Sequence, residues 1–127
     1  MNYNASMRQY LNDDINAKTT SLDPHKIIEE VLKDLKNNME TLAYSIDHEP
    51  VISSIKSTSF SKSLTAIYIL QSSLNFDEGS EIAENLFRIY EFAKDGIMKG
   101  FTKRDSKLIY DAIPPIDEIL DGWKQIK

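Results

Sequence analysis

The chain is 127 residues long, carries a formal net charge of −5 and contains no cysteine. This length suits one domain, over 1–127, that buries a single continuous core. The acidic balance argues against nucleic acid as a partner, because neutralising phosphates requires clustered Lys and Arg. The absence of cysteine excludes disulfides, thiolate chemistry and cysteine metal sites. The N-terminus has no signal pattern and no apolar run approaches the roughly 20 residues of a membrane span, so we expect no membrane insertion.

The first 22 residues are mostly polar and precede the first clear helix signal. We expect residues 1–22 to form a mobile N-terminal cap segment that is either extended or contains a short docked helix within NYNASMRQYLNDDI. The apolar side chains that this segment could place on the rest of the protein are Tyr3, Tyr10, Leu11 and Ile15.

A first helix is predicted to begin at Asp23 and to run to about Asp47. Asp23 can accept hydrogen bonds from the free amides of the first turn, and Pro24 occupies the first helical position, where no N–H is needed. The apolar residues that follow recur at helical spacing and define one buried face. They are Ile28, Val31, Leu32, Leu35, Met39, Leu42 and Ile46.

A second helix is predicted after a serine-rich loop that contains Pro50, although the sequence does not mark where it begins. Its apolar stripe comprises Phe60, Leu64, Ile67, Leu70 and Leu74. Tyr68 lies near the edge of this stripe. Ile69 points almost opposite the centre of the stripe, where a helix in an isolated bundle would carry a polar side chain.

A third helix is predicted after the loop that contains Gly79. Asp77 or Ser80 can cap its N-terminus, and Glu81 lies in the first turn, where the helix dipole favours negative charge. We expect this helix to end at Gly100, because glycine readily adopts the left-handed conformation of a helix C-cap.

The fourth helix is predicted to start almost at once, where Thr102 and Asp105 have the spacing of a capping box. Because the link is so short, helices three and four should be antiparallel neighbours. Pro114 and Pro115 should kink or break the fourth helix, since a proline inside a helix costs about 3 kcal/mol. The apolar positions nevertheless keep one helical phase across the prolines, so we predict two pieces that follow one path. These positions are Ile109, Ala112, Ile116, Ile119 and Trp123.

These segments together predict an all-α fold, an antiparallel up-down four-helix bundle whose last helix is kinked or broken at Pro114-Pro115. No segment shows a strand-like alternation strong enough to compete with this interpretation.

The sequence shows no catalytic, cofactor-binding or metal-binding motif. His25 and His48 are its only histidines, and both lie at helix boundaries without a second histidine at ligand spacing. The acidic residues that follow Asp77 lack the alternating ligands and closing glutamate of an EF-hand loop, so helix capping explains them better. The Glu-x-x-His pairs of di-iron bundles and glycine-rich phosphate loops are also missing. We therefore predict a protein that is not an enzyme and binds no cofactor.

The third helix carries more apolar residues than one buried face needs. With Leu86 as the centre of the core face and about 100° per residue, Phe87 and Met98 lie at about 100° to 120° on one side. Phe92 lies at about 120° on the other side, so all three fall outside a normal apolar stripe. The predicted core face around Leu86 comprises Ile82, Ala83, Ile89, Tyr90, Ala93 and Ile97.

This surplus has more than one interpretation. Bundle helices often have wide apolar faces, and scattered exposed apolar residues need no partner. Alternatively, helices two and three form a groove that accepts an amphipathic helix from another chain, with Met98 as an adaptable filler. Tyr10, Leu11 and Ile15 could then cover the groove until a partner displaces them. A structural or self-associating bundle, whose apolar surface forms a homodimer, is the other alternative.

Several motifs occur in order in SSLNFDEGSEIAENLFRIYEFAKDGI and in the later LDGWKQI. They are Ser-Leu-Asn, a short acidic loop with a glycine, Leu-x-x-Ile-Tyr-x-Phe and a late Trp-Lys. Near the N-terminus, Tyr10 precedes a short polar stretch and the Asp23-Pro24 helix start. Over nearly the whole chain, this order and spacing resemble the FliS family of flagellin export chaperones. The matching positions in the two quoted segments are Ser73, Leu74, Asn75, Gly79, Leu86, Ile89, Tyr90, Phe92, Trp123 and Lys124.

The resemblance implies a cytoplasmic, non-enzymatic helical bundle that holds the C-terminal segment of flagellin. Such a chaperone would keep flagellin from polymerising prematurely and deliver it to the flagellar type III export machinery, with an export-gate component as a further partner. A disordered flagellin terminus loses conformational entropy when it folds on the bundle, so binding should be reversible. The predicted partner-binding residues are Tyr10, Leu11, Ile15, Tyr68, Ile69, Phe87, Tyr90, Phe92 and Met98.

Overall fold

The computed structural model describes residues 23–76 and 80–126. Within these ranges the chain forms helices and no strand. The last two helices follow one another with a bend and together take the place of a fourth helix, which confirms the predicted all-α four-helix bundle. The helices are α1 (Pro24–His48), α2 (Ser54–Ser72), α3 (Ser80–Lys103), α4 (Ser106–Tyr110) and α5 (Ile113–Gln125).

α1 is the central helix, because α2, α3, α4 and α5 all pack against it. It begins as predicted: the Asp23 carboxylate accepts a hydrogen bond from the Lys26 amide at 2.8 Å, and Pro24 follows in the first turn. Its last residue is His48, against a predicted end near Asp47. The inward face of α1 is fully buried at Val31, Leu32, Leu35, Met39 and Leu42.

The start of α2 is fixed by a capped turn and a buried lysine. The Ser53 hydroxyl oxygen accepts a hydrogen bond from the Lys56 amide at 3.3 Å. The Lys56 ammonium donates to the Pro50 carbonyl at 2.7 Å, and the residue is only 5% exposed. Because a buried charge needs hydrogen-bond partners, this contact ties the loop between α1 and α2 to the first turn of α2.

α3 continues past Gly100 to Lys103, so the predicted end at Gly100 is wrong. The left-handed residue is Arg104, with φ 57°, and the Asp105 amide donates to the Gly100 carbonyl at 2.9 Å. Gly100 instead permits a close approach between helices, since a Cβ at this position would lie 2.6 Å from Cγ1 of Ile109. A glycine that the sequence suggests as a helix end is therefore a packing position inside a helix.

The predicted capping box at the start of the fourth helix is also wrong. Thr102 lies inside α3, and Asp105 caps α4 by itself by accepting a hydrogen bond from the Lys107 amide at 3.1 Å. The sequence pattern placed the end of α3 too early, because the residues predicted to link helices three and four form the last turn of α3.

The break in the fourth helix is confirmed, and it lies just before the prolines. α4 ends at Tyr110, the chain turns, and α5 begins at Ile113. Pro114 and Pro115 occupy the first turn of α5, where their fixed φ is suitable and no intrahelical N–H is required. The common apolar phase of the two pieces is also confirmed by complete burial of Ile109, Ala112 and Ile116.

α5 is fastened to α1 at two levels. The Trp123 ring N–H donates to the His25 carbonyl at 2.8 Å, and the two rings stack with their centroids 4.8 Å apart. Further along α1, the Lys36 ammonium donates to the Asp117 carboxylate at 2.8 Å. These contacts hold the C-terminal helix along the first half of α1.

The predicted N-terminal cap segment, 1–22, and the predicted helix cap at Asp77 lie outside the described residues, as does the side chain of Ser80. Glu81 does lie in the first turn of α3, as expected. None of the helices in the described part of the chain combines the length and the apolar character needed to cross a membrane.

Candidate partner-binding surface

α3 presents large apolar side chains to solvent in addition to its buried face. Phe87 is 38% exposed, Phe92 54% and Met98 46%. The buried face of the same helix is formed by Ala83, Tyr90, Ala93 and Ile97, whereas the prediction that Ile82 belongs to this face is wrong, because Ile82 is 67% exposed. The apolar surplus inferred from the sequence is therefore a real surface feature at Phe87, Phe92 and Met98.

Phe87 and Met98 lie on the side of α3 that faces α2. This side is marked by the Gln71 amide of α2, which donates to the Glu91 carboxylate of α3 at 2.8 Å. At about 100° per residue, Phe87 and Met98 both lie within about 40° of Glu91 around the helix axis. The structure thus brings these two exposed side chains to the junction between α2 and α3.

Phe92 lies on the opposite side of α3, next to α4. Gly96 marks that side, because a Cβ at Gly96 would lie 2.8 Å from the carbonyl oxygen of Leu108 in α4. Phe92 lies within about 40° of Gly96 and about 140° from Phe87 around the axis. One partner helix lying along the junction of α2 and α3 would therefore contact Phe87 and not Phe92.

Two contacts set the register between α2 and α3. The rings of Phe60 and Phe101 stack with centroids 4.0 Å apart, and the contact between Gln71 and Glu91 lies about 15 Å further along the helix axes. Between these contacts, α2 presents side chains that are half-buried and packed on the core. We define the α2–α3 surface as Leu64, Tyr68, Phe76, Phe87 and Met98.

Phe76 extends this surface beyond the end of α2. Its ring meets that of Phe87 edge to face, with centroids 6.2 Å apart, and Phe76 is 46% exposed. Phe76, Phe87, Glu84 and Arg88 line a cleft of about 200 Å³. Sequence reasoning missed Phe76, although a single aromatic residue in the polar loop NFDEG is the kind of signal that could have indicated it.

Charged side chains of α3 lie between and beside Phe87 and Met98. The Lys94 ammonium lies 3.1 Å from the Glu91 carboxylate, and Arg88 lies 3.8 Å from Glu84. Hydrogen bonds from Gln71 and Lys94 lower the pKa of the Glu91 carboxyl below its ordinary value of 4.5. The α2 side of α3 therefore presents both exposed apolar side chains and ion-paired charged groups.

The prediction that Ile69 lies on the surface is wrong, because its side chain is fully buried in the core. The inward face of α2 is built on the small residues Ser59, Ser63 and Ala66, all of which are buried. A stripe drawn through the large apolar residues is therefore rotated by about 70° from the true inward face. Ile69 falls inside the true buried arc, whereas Leu64 falls at its edge.

Tyr90 is also unavailable to a partner in this structure, since it is only 3% exposed and belongs to the core. Burial raises the pKa of its phenol above the ordinary value. Three further residues of the predicted set, Tyr10, Leu11 and Ile15, lie outside the described residues. Of the predicted set, Phe87 and Met98 therefore lie on the α2 side of α3, and Tyr68 is half-buried on α2. Phe92 lies on the opposite side of α3, next to α4.

The two histidines both pack against aromatic rings. His25 stacks on Trp123, and His48 stacks on Tyr44 with ring centroids 3.9 Å apart. Across residues 23–76 and 80–126, the structure contains no group of three or more His, Cys, Asp or Glu side chains that could hold a metal ion.

Comparison with known proteins gives consistent matches along the chain. The family model described as "Flagellar protein FliS" matches residues 4–127. The "Flagellar secretion chaperone FliS" of Vibrio cholerae is 26% identical over 121 residues, which cover 95% of this chain and 88% of the relative. The "Flagellar secretion chaperone FliSB" of Pseudomonas aeruginosa is 24% identical over 121 residues, with 95% and 94% coverage. The "Flagellar secretion chaperone FliS" of Salmonella typhimurium is 24% identical over 126 residues, with 98% and 92% coverage.

Proposed function

The chain belongs to the FliS family of flagellar secretion chaperones, and on that premise we propose that it binds the C-terminal segment of flagellin on the α2–α3 surface. It would thereby keep flagellin from polymerising in the cytoplasm and deliver it to the flagellar type III export apparatus. This role needs no catalytic group, so the protein acts by binding alone and not as an enzyme.

The observation that carries this proposal is the exposure of the large apolar side chains of Phe76, Phe87 and Met98 at the junction of α2 and α3. From Phe87 to Phe101, α3 extends for about 21 Å, which matches roughly four turns of a partner helix. Phe87 and Met98 project from α3 at this junction, and Tyr68 is half-buried on α2. An amphipathic helix that places apolar residues at i, i+3, i+4 and i+7 could bury all three side chains.

The apolar side chains of the α2–α3 surface suit a flagellin segment that is unfolded before it binds. A disordered segment must lose conformational entropy when it forms a helix, and burial of apolar area has to offset that loss. The Met98 side chain is flexible and polarisable, so it can adapt to different client residues. The resulting affinity should be moderate, which suits a chaperone that must release its client at the export apparatus.

We further propose that residues Tyr10, Leu11 and Ile15 compete with flagellin for part of this surface. They are apolar residues in a mostly polar segment, and they precede the bundle in the sequence. Removing residues 1–22 should then strengthen flagellin binding; an unchanged or weaker affinity would refute the competition. An export-gate component that receives the complex is the second partner we propose, and it should co-purify with the complex of chaperone and flagellin.

The test of the binding site uses two substitutions on opposite sides of α3. Phe87→Asp places a charge at the proposed site and should weaken binding by at least about 30-fold, or about 2 kcal/mol, as expected for a central interface residue. Phe92→Asp is the matched control, because Phe92 is a more exposed phenylalanine on the other side of the same helix. Ile69→Asp is unsuitable as a test, since a charge in the core would disrupt folding.

The measurement is co-elution with full-length flagellin of the same organism in size-exclusion chromatography, followed by titration calorimetry. Both variants should retain the helical circular dichroism of the parent protein. Equal binding by the Phe87→Asp variant and the parent would refute the proposed site, as would an equal loss in the Phe92→Asp variant. Light scattering on the free chain tests the alternative of a homodimer, because a stable dimer that buries Phe87 would leave no surface for flagellin.

A further inference from the structure

A second exposed apolar region lies at the junction of the α1 C-terminus, the α2 N-terminus and α4. Tyr44 is 58% exposed, Ile55 50% and Tyr110 43%. These three residues line a cleft of about 570 Å³ together with Glu40 and Glu49. No residue of α3 lines this cleft, so it is separate from the α2–α3 surface.

Local contacts hold the aromatic walls of the cleft in place. The His48 ring stacks on one face of the Tyr44 ring at 3.9 Å, and its Nδ1–H donates to the Tyr44 carbonyl at 2.8 Å. The Ser106 hydroxyl at the start of α4 donates to the Asp47 carboxylate at 2.7 Å. This second contact joins α4, which carries Tyr110, to the last turn of α1. The cleft is thus formed before any ligand arrives, which reduces the entropy lost on binding.

Within the described residues the carboxylates of the cleft form no direct ion pair, although the Lys36 ammonium, which is bound to Asp117, is near enough to Glu40 for a Coulombic interaction. Within the described part of the chain, Glu49 accepts one long hydrogen bond, 3.4 Å from the Ser53 hydroxyl, and neither Glu40 nor Glu49 forms an ion pair. Lys36 and Lys56 are engaged elsewhere: the Lys36 ammonium is bound to a carboxylate of α5, and that of Lys56 to carbonyl groups of the α1–α2 loop.

We propose that this cleft binds an arginine side chain presented by an apolar segment of a partner polypeptide. A guanidinium group is planar, so it can stack against Tyr44 or Tyr110 while donating paired hydrogen bonds to Glu40 or Glu49. The apolar neighbours of the arginine would cover Ile55. Because a lysine ammonium neither stacks nor donates in a fork, arginine fits this combination of aromatic rings and carboxylates better.

This proposal goes beyond flagellin binding and does not depend on it, since the two surfaces share no residue. The probe is the peptide acetyl-Ala-Leu-Arg-Leu-Ala-amide, titrated into the full ¹⁵N-labelled chain and followed by amide chemical shifts. The comparison peptide carries citrulline, which has nearly the shape of arginine and no charge. We expect the arginine peptide to shift the amide signals of Tyr44, Ile55 and Tyr110, and to bind about tenfold more tightly than the citrulline peptide.

Charge-neutralising variants test the carboxylates directly. Glu40→Gln and Glu49→Gln should each weaken binding of the arginine peptide several-fold and leave the citrulline peptide unaffected. Glu118→Gln is the matched control, because it removes the same charge from an exposed carboxylate on α5 and should change neither affinity. Circular dichroism verifies that each variant is folded.

Three outcomes would overturn the proposal. Equal affinities for the arginine and citrulline peptides would show that the cleft does not select a cation. Amide shifts confined to α3, or no amide shifts at all, would show that the peptide does not bind in the cleft. Concentration-dependent dimerisation of the free chain that Tyr110→Ser abolishes would show that a second copy of the chain occupies this region.

Discussion

The close approach of α3 to the fourth helix leads to a prediction about three glycines inside helices. Replacing glycine by alanine in a helix ordinarily stabilises a protein by about 0.5–1 kcal/mol, because alanine loses less backbone entropy on folding. At Gly122 the new Cβ would meet nothing within 4 Å, so this ordinary gain should be observed. At Gly96 it would lie 2.8 Å from the carbonyl oxygen of Leu108, and at Gly100 it would lie 2.6 Å from Cγ1 of Ile109.

Overpacking of this kind typically costs 1–3 kcal/mol, which exceeds the gain in helix propensity by up to about 2.5 kcal/mol. In both variants the new Cβ also meets a backbone oxygen that cannot rotate aside, that of Leu108 for Gly96→Ala and that of Asp105, at 2.9 Å, for Gly100→Ala. For a chain of this size, 1 kcal/mol shifts the melting temperature by about 3–5 °C. Thermal unfolding followed by circular dichroism should therefore show a lower Tm for Gly96→Ala and Gly100→Ala and a higher Tm for Gly122→Ala.

The control in this series is Gly122→Ala, because it isolates the propensity effect in the same protein. If Gly96→Ala raised the Tm as much as Gly122→Ala, the helices could not approach as closely as the structure places them. A lower Tm for all three variants would instead show that alanine is disfavoured for a reason unrelated to contact with α4.

Three further predictions follow from polar contacts. Ser63→Ala should raise the free energy of unfolding by about 1 kcal/mol in urea titrations, because the buried Ser63 hydroxyl has no hydrogen-bond partner in the described part of the chain. Trp123→Phe should lower the free energy of unfolding by about 1 kcal/mol, since the phenyl ring cannot donate to the His25 carbonyl. Contacts with Gln71 and Lys94 lower the pKa of Glu91 below 4.5, so its contribution to stability is present above the unfolded pKa and is lost as pH falls through the folded pKa. The stability difference between the parent protein and Glu91→Gln should therefore be greatest near neutral pH and disappear in acid.

The sequence predicts α1 well because its helix-start residues and its pattern of apolar residues both agree with the fold. Asp23 and Pro24 mark the start, and large apolar residues at helical spacing are the residues that become buried. The same agreement explains why the break near Pro114 and Pro115 could be predicted. Proline restricts the backbone in a way that does not depend on the rest of the fold.

The errors arise where a small residue is used for packing between helices. Gly100 has the chemistry of a helix end, but the space it leaves is filled by Ile109 from the next helix. Ser59 and Ser63 are of a residue type that is usually exposed, yet both are buried against the core. The Ser59 hydroxyl donates to the Ile55 carbonyl at 2.8 Å. Propensity and periodicity cannot identify such positions, because their roles depend on how closely a neighbouring helix approaches.

The small inward residues of α2 also explain the apolar surface beside it. α2 packs mainly on α1, and the residues at the centre of its inward face are Ser59, Ser63 and Ala66. Ile67, Ile69 and Leu70 are buried beside these small residues, whereas Leu64 and Tyr68 lie further from the centre of the inward face and are only half-buried. The misassigned Ile69 and the incomplete burial of Leu64 and Tyr68 thus have one cause: the inward face of α2 is rotated from the stripe of its large apolar residues. A partner helix that covers Leu64 and Tyr68 would bury the large side chains that α2 leaves half-buried, and it could cover Met98 of α3 as well.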